Sequence, residues 1–424
     1  MRRVARAGLQ APALVAQVDL VDPDRCFDVQ GFNSLYCVTR SGTRVQELSF
    51  WDVTGEAWVQ ASDLVERDAR APEPDRISTD GVDAIDLCIV ICTRNRSAGL
   101  QRTLESLVHQ TDTNFDILVV DSASSTSEAE EVVAKWSDVP ISYVREERPG
   151  LSRARNRGLR EATCSHILWL DDDELADRHL VAEVKKGFVH PSAPTAVCGL
   201  MLPAELETEA QVRFEQFDGF NKGRGLRPRS LRLGDGYLRS PLYPLPGFGA
   251  GGNMAFAVTA LRELGGFDEN LGVGTPTGGG EETRVLSALL RNGKSVLHWP
   301  SALTWHFHRR EMSALVRQMK GYGAGLTAFY ASSVFDDPMV LAEVVRLIPQ
   351  GLRDIRSSSP TSSFDPLPGD FPPELTRASR RGLLLGGVHY SRGHLRDRLR
   401  VRRPPRSRQP EALYRGAKTC TEET

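Results

Sequence analysis

No stretch of the 424-residue chain approaches the ~20 consecutive apolar residues that span a bilayer. The opening Met1-Arg2-Arg3 does not lead into the apolar core of a secretory signal, so the expectation is a cytoplasmic protein. Cysteine is scarce: seven residues, an odd number without CxxC spacing, point to reduced thiols rather than a disulfide framework. Cys88 and Cys92 lie within an apolar run and read as packing residues. A net charge of −2 removes any general electrostatic case for nucleic acid as a partner. What is left, 40% hydrophobic and 25% charged residues, is an ordinary globular composition. The length allows one large domain with appendages, or two domains.

The charge is unevenly placed. From Arg377 to Arg408 the chain is strongly basic, with Asp397 its only acid. Such a segment is either a solvated chain end or a patch for anionic lipid or nucleic acid, and the run Leu383-Leu384-Leu385 adds a membrane-surface reading. Residues 1–80 read as a small β-containing unit of unknown role, closed by a linker at Pro72, Pro74 and Gly81. Within it Leu35–Arg40 and Arg44–Phe50 flank Ser41-Gly42-Thr43 as a hairpin. Residues 331–424, with a Ser, Pro and Asp-rich stretch beyond Ser357, read as a helical and basic extension.

From Leu87 strands and helices alternate. Strands are expected at Leu87–Cys92, Phe115–Val120, Ile141–Val144 and His166–Leu170, and helices near Leu100–His109, Glu128–Trp136 and Ser152–Glu161. Helices are also expected at Glu281–Arg291 and Met312–Tyr330, after Gly- and Pro-rich loops at Leu242–Gly252 and Gly272–Gly280. Alternation of this kind implies a parallel sheet covered by helices, with ligands at the carboxyl ends of its strands. Thr93, Asp121 and Asp171 would then meet, though they are distant in sequence.

Asp171, Asp172 and Asp173 follow the apolar run Ile167-Leu168-Trp169-Leu170. Clustered carboxylates at a sheet edge suit Mg²⁺ or Mn²⁺ and, through the ion, a diphosphate. An acidic turn leading through Glu174 and Asp177 into a helix is the plainer alternative. Thr93-Arg94-Asn95-Arg96 after the first strand offers polar groups for a nucleotide, and Asp121 after the second could accept from a base or ribose. Ser152 is a plausible N-cap, with Arg155 and Asn156 about one turn inside its helix.

Taken in order, these segments resemble the family 2 glycosyltransferases: Thr93-Arg94-Asn95-Arg96, Val119-Val120-Asp121, Ala154-Arg155-Asn156 and Leu170-Asp171-Asp172-Asp173. The resemblance continues through Gly251-Gly252-Asn253-Met254-Ala255-Phe256 and Gly265-Gly266-Phe267-Asp268, and covers about Asp86 to Tyr330. It implies an α/β protein of GT-A fold, with a Rossmann-like, mostly parallel sheet flanked by helices. Residues 86–200 would be the nucleotide-sugar half and 201–330 the acceptor half. Thr93, Arg94, Asn95, Asp121, Arg155, Asn156, Asp171 and Asp172 would contact the donor, and Gly252 and Asn253 the acceptor. Asp171, Asp173 and His306, within Trp305-His306-Phe307-His308-Arg309-Arg310, would hold the Mn²⁺ or Mg²⁺. His306 and His308 share a strand face by period.

The family's base opens an acceptor-side helix as a Glu-Asp pair; here the pair is Glu281-Glu282, and Glu282 is favoured. Two acids stabilised by the helix dipole are the alternative. The implied reaction is inverting transfer of a single sugar from a nucleotide sugar to a glycan or glycolipid hydroxyl. The Gln-x-x-Arg-Trp segment of processive synthases is absent, Gln318-Met319-Lys320-Gly321-Tyr322 standing nearest. A nucleotidyltransferase would want a lysine-bearing phosphate loop, which Thr93–Leu100 lacks. A non-catalytic scaffold would not need the acid triplet.

Overall fold

The structure is a computed structural model describing residues 1–21, 25–65, 80–136, 139–234, 240–243, 249–356 and 367–401. The linker expected at Pro72 and Pro74, the stretch 357–366 and the basic chain after 401 lie outside the described residues.

The N-terminal part contains β1 (Arg2–Val4), β2 (Ala13–Asp19), β3 (Cys26–Asp28), β4 (Ser34–Ser41), β5 (Arg44–Asp52) and β6 (Trp58–Gln60). β4 and β5 form the expected hairpin, turning at Gly42-Thr43 with Gly42 at φ 58°. Four strands pair in the order β1-β5-β4-β2, and β3 pairs with β6.

Next come β7 (Leu87–Thr93), α1 (Ser97–Leu107), β8 (Asp116–Ser122), α2 (Glu128–Ala134), β9 (Ile141–Glu146), α3 (Leu151–Glu161) and β10 (His166–Asp171). β11 (Glu174–Ala176), α4 (Leu180–Phe188), β12 (Ala196–Pro203), α5 (Glu209–Gln216), β13 (Arg229–Leu231), β14 (Asn253–Ala257) and α6 (Val258–Glu263) follow. The chain continues with α7 (Glu281–Arg291), β15 (Val296–His306), α8 (Met312–Asp336), α9 (Val340–Arg356) and α10 (Pro373–Val401).

The large sheet runs β11-β15-β12-β14-β10-β7-β8-β9, with β13 also on β15. Its β10-β7-β8-β9 half is parallel, as the alternating pattern requires. β14 enters antiparallel between β10 and β12, while β11 and β13 run antiparallel to β15. Period-two patterning divides the central strands between two cores. Val90, Val120 and Trp169 face one side with Ala154 and Leu159 of α3, whereas Ile89, Val119 and Leu168 face the other with Leu100 and Leu104 of α1. Each such leucine contributes about 1.5–3 kcal/mol by leaving water, so the strand ends that carry the polar residues are rigidly held.

The N-terminal sheet is not isolated from this body. Tyr36, Val38 and Phe50 share a core with Leu200, Leu202, Leu303 and Trp305 of β12 and β15. The buried ion pair of Arg40 with Asp177, at 2.7 Å, ties β4 to the end of the acidic segment.

α8 runs past the expected end at Tyr330 because Ala331-Ser332-Ser333 contains no breaker; there the Ser333 hydroxyl bonds back to Phe329 O. It stops at Asp337, extended before Pro338. α10 lies along α8 by backbone contact. A Cβ on Gly382 would sit 2.1 Å from Lys320 O, and one on Gly386 would sit 1.9 Å from Ala324 O.

Candidate active site

Parallel register sets Thr93 beside Asp121 and Asp171 beside Cys92 at the carboxyl ends of β7, β8 and β10. The acid triplet is not a solvated turn. Glu174 begins β11, antiparallel to β15 and opposite His306, and is wholly buried.

Each aspartate has its own partners. Asp172 accepts from Thr93 Oγ1 at 2.7 Å and Arg96 Nη1 at 2.9 Å. Burial outweighs both and pushes its carboxyl up to about 6. Asp173 lies 3.3 Å from His306 Nε2 and accepts from Arg96 at 2.8 Å and Arg309 at 3.2 Å. Burial pushes it up, but His306 and the two arginines prevail and hold it well below the usual carboxylate range. Asp171 lies 3.6 Å from Arg155 Nη2 and is raised by burial and by Asp173's charge.

Of the expected donor residues, Arg94 is exposed and Arg96 takes its place on the acids. Asn95, at φ 53°, accepts from Ser125 N and Oγ and so clips the β7 loop to the β8 loop. Asp121 is buried and fully engaged, by Ser124 N at 2.8 Å and by Tyr143 OH and Arg145 Nη1 at 2.9 Å each. The strand runs past its expected end at Val144 to Glu146, which brings Arg145 onto the same face as Tyr143.

α3 departs from expectation in two respects. Gly150, not Ser152, is its N-cap, and the buried Ser152 hydroxyl donates to Leu271 O. Asn156 spends both amide atoms on the Phe267 backbone, donating to its O and accepting from its N at 2.8 Å each, so it positions the Gly265–Asp268 loop. Arg155 does reach the crevice. It is fully buried and bridges Glu281 Oε1 at 3.0 Å, Gly251 O at 3.0 Å and Asp171.

Gly252 and Asn253 sit beneath the site. Asn253 is buried and donates to Leu200 O and Ala302 O, which locks β14 to its neighbours. A Cβ on Gly252 would lie 1.7 Å from Glu174 Oε1 and 3.0 Å from Asp171 Oδ2. Only glycine lets the β14 entry pass this close to two carboxyls. Neither Glu174 oxygen has a partner at ordinary hydrogen-bond geometry. Burial and Asp171's charge raise this carboxyl well above normal. Its sequence signal was its place directly after the triplet.

Glu281 and Glu282 open α7 after Gly280, as expected. Burial and the neighbouring Glu282 push Glu281 up to about 8, against Arg155. Glu282 is half-buried and makes no ion pair among the described residues; Glu281 and the Lys222 amine lie within its field. Burial pulls that amine down to about 8, and it sits 4.3 Å from the Tyr322 ring centroid.

His306 and His308 face one way on the chain and touch, Nδ1 to Nδ1, at 2.9 Å. His308 Nε2 continues to Glu215 at 2.9 Å on α5, so a buried polar chain runs from Asp173 to Glu215. Phe220 and Phe214 pack edge-on against the two imidazoles. Hard carboxylate oxygens with one imidazole nitrogen suit Mn²⁺ or Mg²⁺. Asp173 and His306 stand together as such donors, while Asp171 turns to Arg155. No set of three His, Cys, Asp or Glu donors is gathered at ligating geometry among the described residues.

Residues 88–265 match the family model described as glycosyl transferase family 2. A pre-mycofactocin glycosyltransferase of Mycobacterium tuberculosis is 24% identical over 241 residues, which is 56% of this chain and 46% of that protein. The chain thus spans under half of that relative's length. A validoxylamine A glucosyltransferase of Streptomyces hygroscopicus is 36% identical over 118 residues, 27% of this chain and 28% of the relative. Among solved structures, a mannosyltransferase from Pyrobaculum calidifontis in complex with GDP-Man and Mn²⁺ overlays with a TM-score of 0.46 and 18% identity, over 73% of this chain and 87% of that one. The polar ends of β7, β8 and β10 lie within residues 88–265, the stretch that matches the glycosyl transferase family 2 model.

Proposed function

We propose that the protein transfers a single sugar from a nucleotide sugar to an acceptor hydroxyl. The observation that carries this reading is the meeting of the β7, β8 and β10 ends with the α7 acids through Arg155. Thr93, Asn95, Asp121, Tyr143 and Arg145 line the donor side, and Arg96 and Arg309 supply positive charge for its diphosphate.

Glu282 takes the proton from the acceptor hydroxyl. The oxygen bonds to the anomeric carbon, the carbon–phosphate-oxygen bond breaks, and its electron pair leaves with the nucleoside diphosphate. One such displacement inverts the anomeric centre. Glu281 is unsuited to this task, since it is buried, pushed up to about 8 and committed to Arg155. Asp173 and His306, with Asp171 beside them, would hold Mn²⁺ or Mg²⁺. When bound, that ion offsets charge developing on the leaving diphosphate.

The test is a panel of nucleotide sugars incubated with the protein, reading nucleoside diphosphate release. Release from one donor, lost in Asp173→Ala, supports the reading. Nucleotide binding without turnover on any donor or acceptor favours a scaffold, and pyrophosphate release favours nucleotidyl transfer.

A further inference from the structure

α10 buries one side against its neighbours through Leu375, Ala378, Gly382, Gly386 and Tyr390. Its opposite side carries large aliphatic side chains in water: Leu384 is 79% exposed, Val388 47%, Leu395 53% and Leu399 63%. Steps of four, seven and four residues put them on one helical stripe. Exposed arginines stand at both ends, Arg377 and Arg381 before the stripe, Arg392 and Arg396 within its far end. Glu374, at the helix start, is the exposed acid among the described residues of α10.

We propose that this face of α10 docks on an anionic lipid surface. Aliphatic side chains flanked by guanidinium groups suit the headgroup–acyl boundary, where the leucines leave water and the arginines meet lipid phosphates. A second copy is a poor occupant, because antiparallel pairing of the face sets one arginine cluster against the other. No helix of the described residues is long and apolar enough to cross a membrane, so the contact is one of surface only.

The inner side of α10 gives the docking a direction. His389 Nδ1 donates to Pro276 O at 2.9 Å, and Tyr390 OH donates to Asp268 at 2.7 Å. α10 thereby holds the loop that leads into Glu281 and Glu282, on which Val273 is 62% exposed. Docking sets this loop one helix diameter, ~10 Å, from the lipid, within reach of an acceptor hydroxyl on a lipid-linked molecule. That consequence rests on the transferase reading; the docking itself does not.

The experiment is co-sedimentation of the full chain with vesicles of phosphatidylcholine alone and of phosphatidylcholine mixed with phosphatidylglycerol, without nucleotide. The expected result is binding to the mixed vesicles only, weakened by salt, and weakened about tenfold or more by Leu384→Glu with Val388→Glu. Circular dichroism and nucleotide calorimetry without vesicles, both unchanged in the variant, separate lost docking from lost fold or lost donor binding. Absence of vesicle binding, or equal binding by the variant, overturns the proposal. So does a concentration-dependent dimer that the double variant abolishes, which would assign the face to a protein contact.

Discussion

Arg155 Nη1 donates to Glu281 Oε1 at 3.0 Å with both side chains buried, and this pairing separates the roles of two adjacent acids. Glu281 becomes part of the scaffold that joins α3 to α7, while Glu282 makes no ion pair among the described residues. Glu282→Gln is expected to lower kcat by roughly 10²-fold or more while leaving nucleotide affinity within experimental error. Glu281→Gln should act chiefly on stability. Steady-state kinetics beside calorimetry on both variants distinguishes these outcomes, and a larger kcat loss in Glu281→Gln would reverse the assignment.

Arg155 also lies against Asp171, so its removal strands the buried Glu281 carboxyl and the part-buried Asp171. Arg155→Met is expected to destabilise the protein by about 3 kcal/mol or more in urea unfolding. Arg155→Lys should recover only part of this, because an ammonium cannot reach Glu281, Gly251 and Asp171 as a planar fork does.

Glu281 carries a pH signature. Its folded value is raised from 4.5 to about 8, so the folded state binds this proton more tightly than the unfolded chain. Its contribution is fully present below about 4.5 and is lost as pH rises through about 8. Thermal melts across that window should show stability falling with pH in the wild type and falling less in Glu281→Gln. Parallel curves would contradict the shift.

Much of this was legible in the sequence because each segment announced itself locally. Leu87–Thr93, Asp116–Ser122 and His166–Asp171 are apolar runs ended by polar residues, and the α7 bounds fall where its apolar spacing puts them. The strands on the far side of β10 were not legible. β12 and β15 are buried along their whole lengths and show no alternation, and β14 follows a long Gly- and Pro-rich stretch. Partners that depend on distant chain were hidden for the same reason. Nothing near Asn156 reveals that its amide serves Phe267, and nothing near Glu215 reveals that it ends a chain beginning at Asp173.

That chain makes its own prediction. The Glu215 carboxylate only accepts, so His308 Nε2 carries a hydrogen; burial keeps His308 neutral, and its Nδ1 accepts from His306 Nδ1–H. His306 Nε2 then faces Asp173 at 3.3 Å, so Glu215 fixes the orientation of that imidazole through His308. Glu215→Leu should weaken Mn²⁺ binding by about 10–100-fold in titrations followed by electron paramagnetic resonance. Unchanged affinity would make the chain purely structural.

The most direct test of the account is calorimetry of nucleoside diphosphates with and without Mn²⁺, on the wild type, Asp173→Ala and Glu282→Gln. The account predicts that one nucleotide binds in a Mn²⁺-dependent manner to the wild type and to Glu282→Gln, and not to Asp173→Ala. Binding that ignores both Mn²⁺ and Asp173, or no binding by any nucleotide, would contradict it.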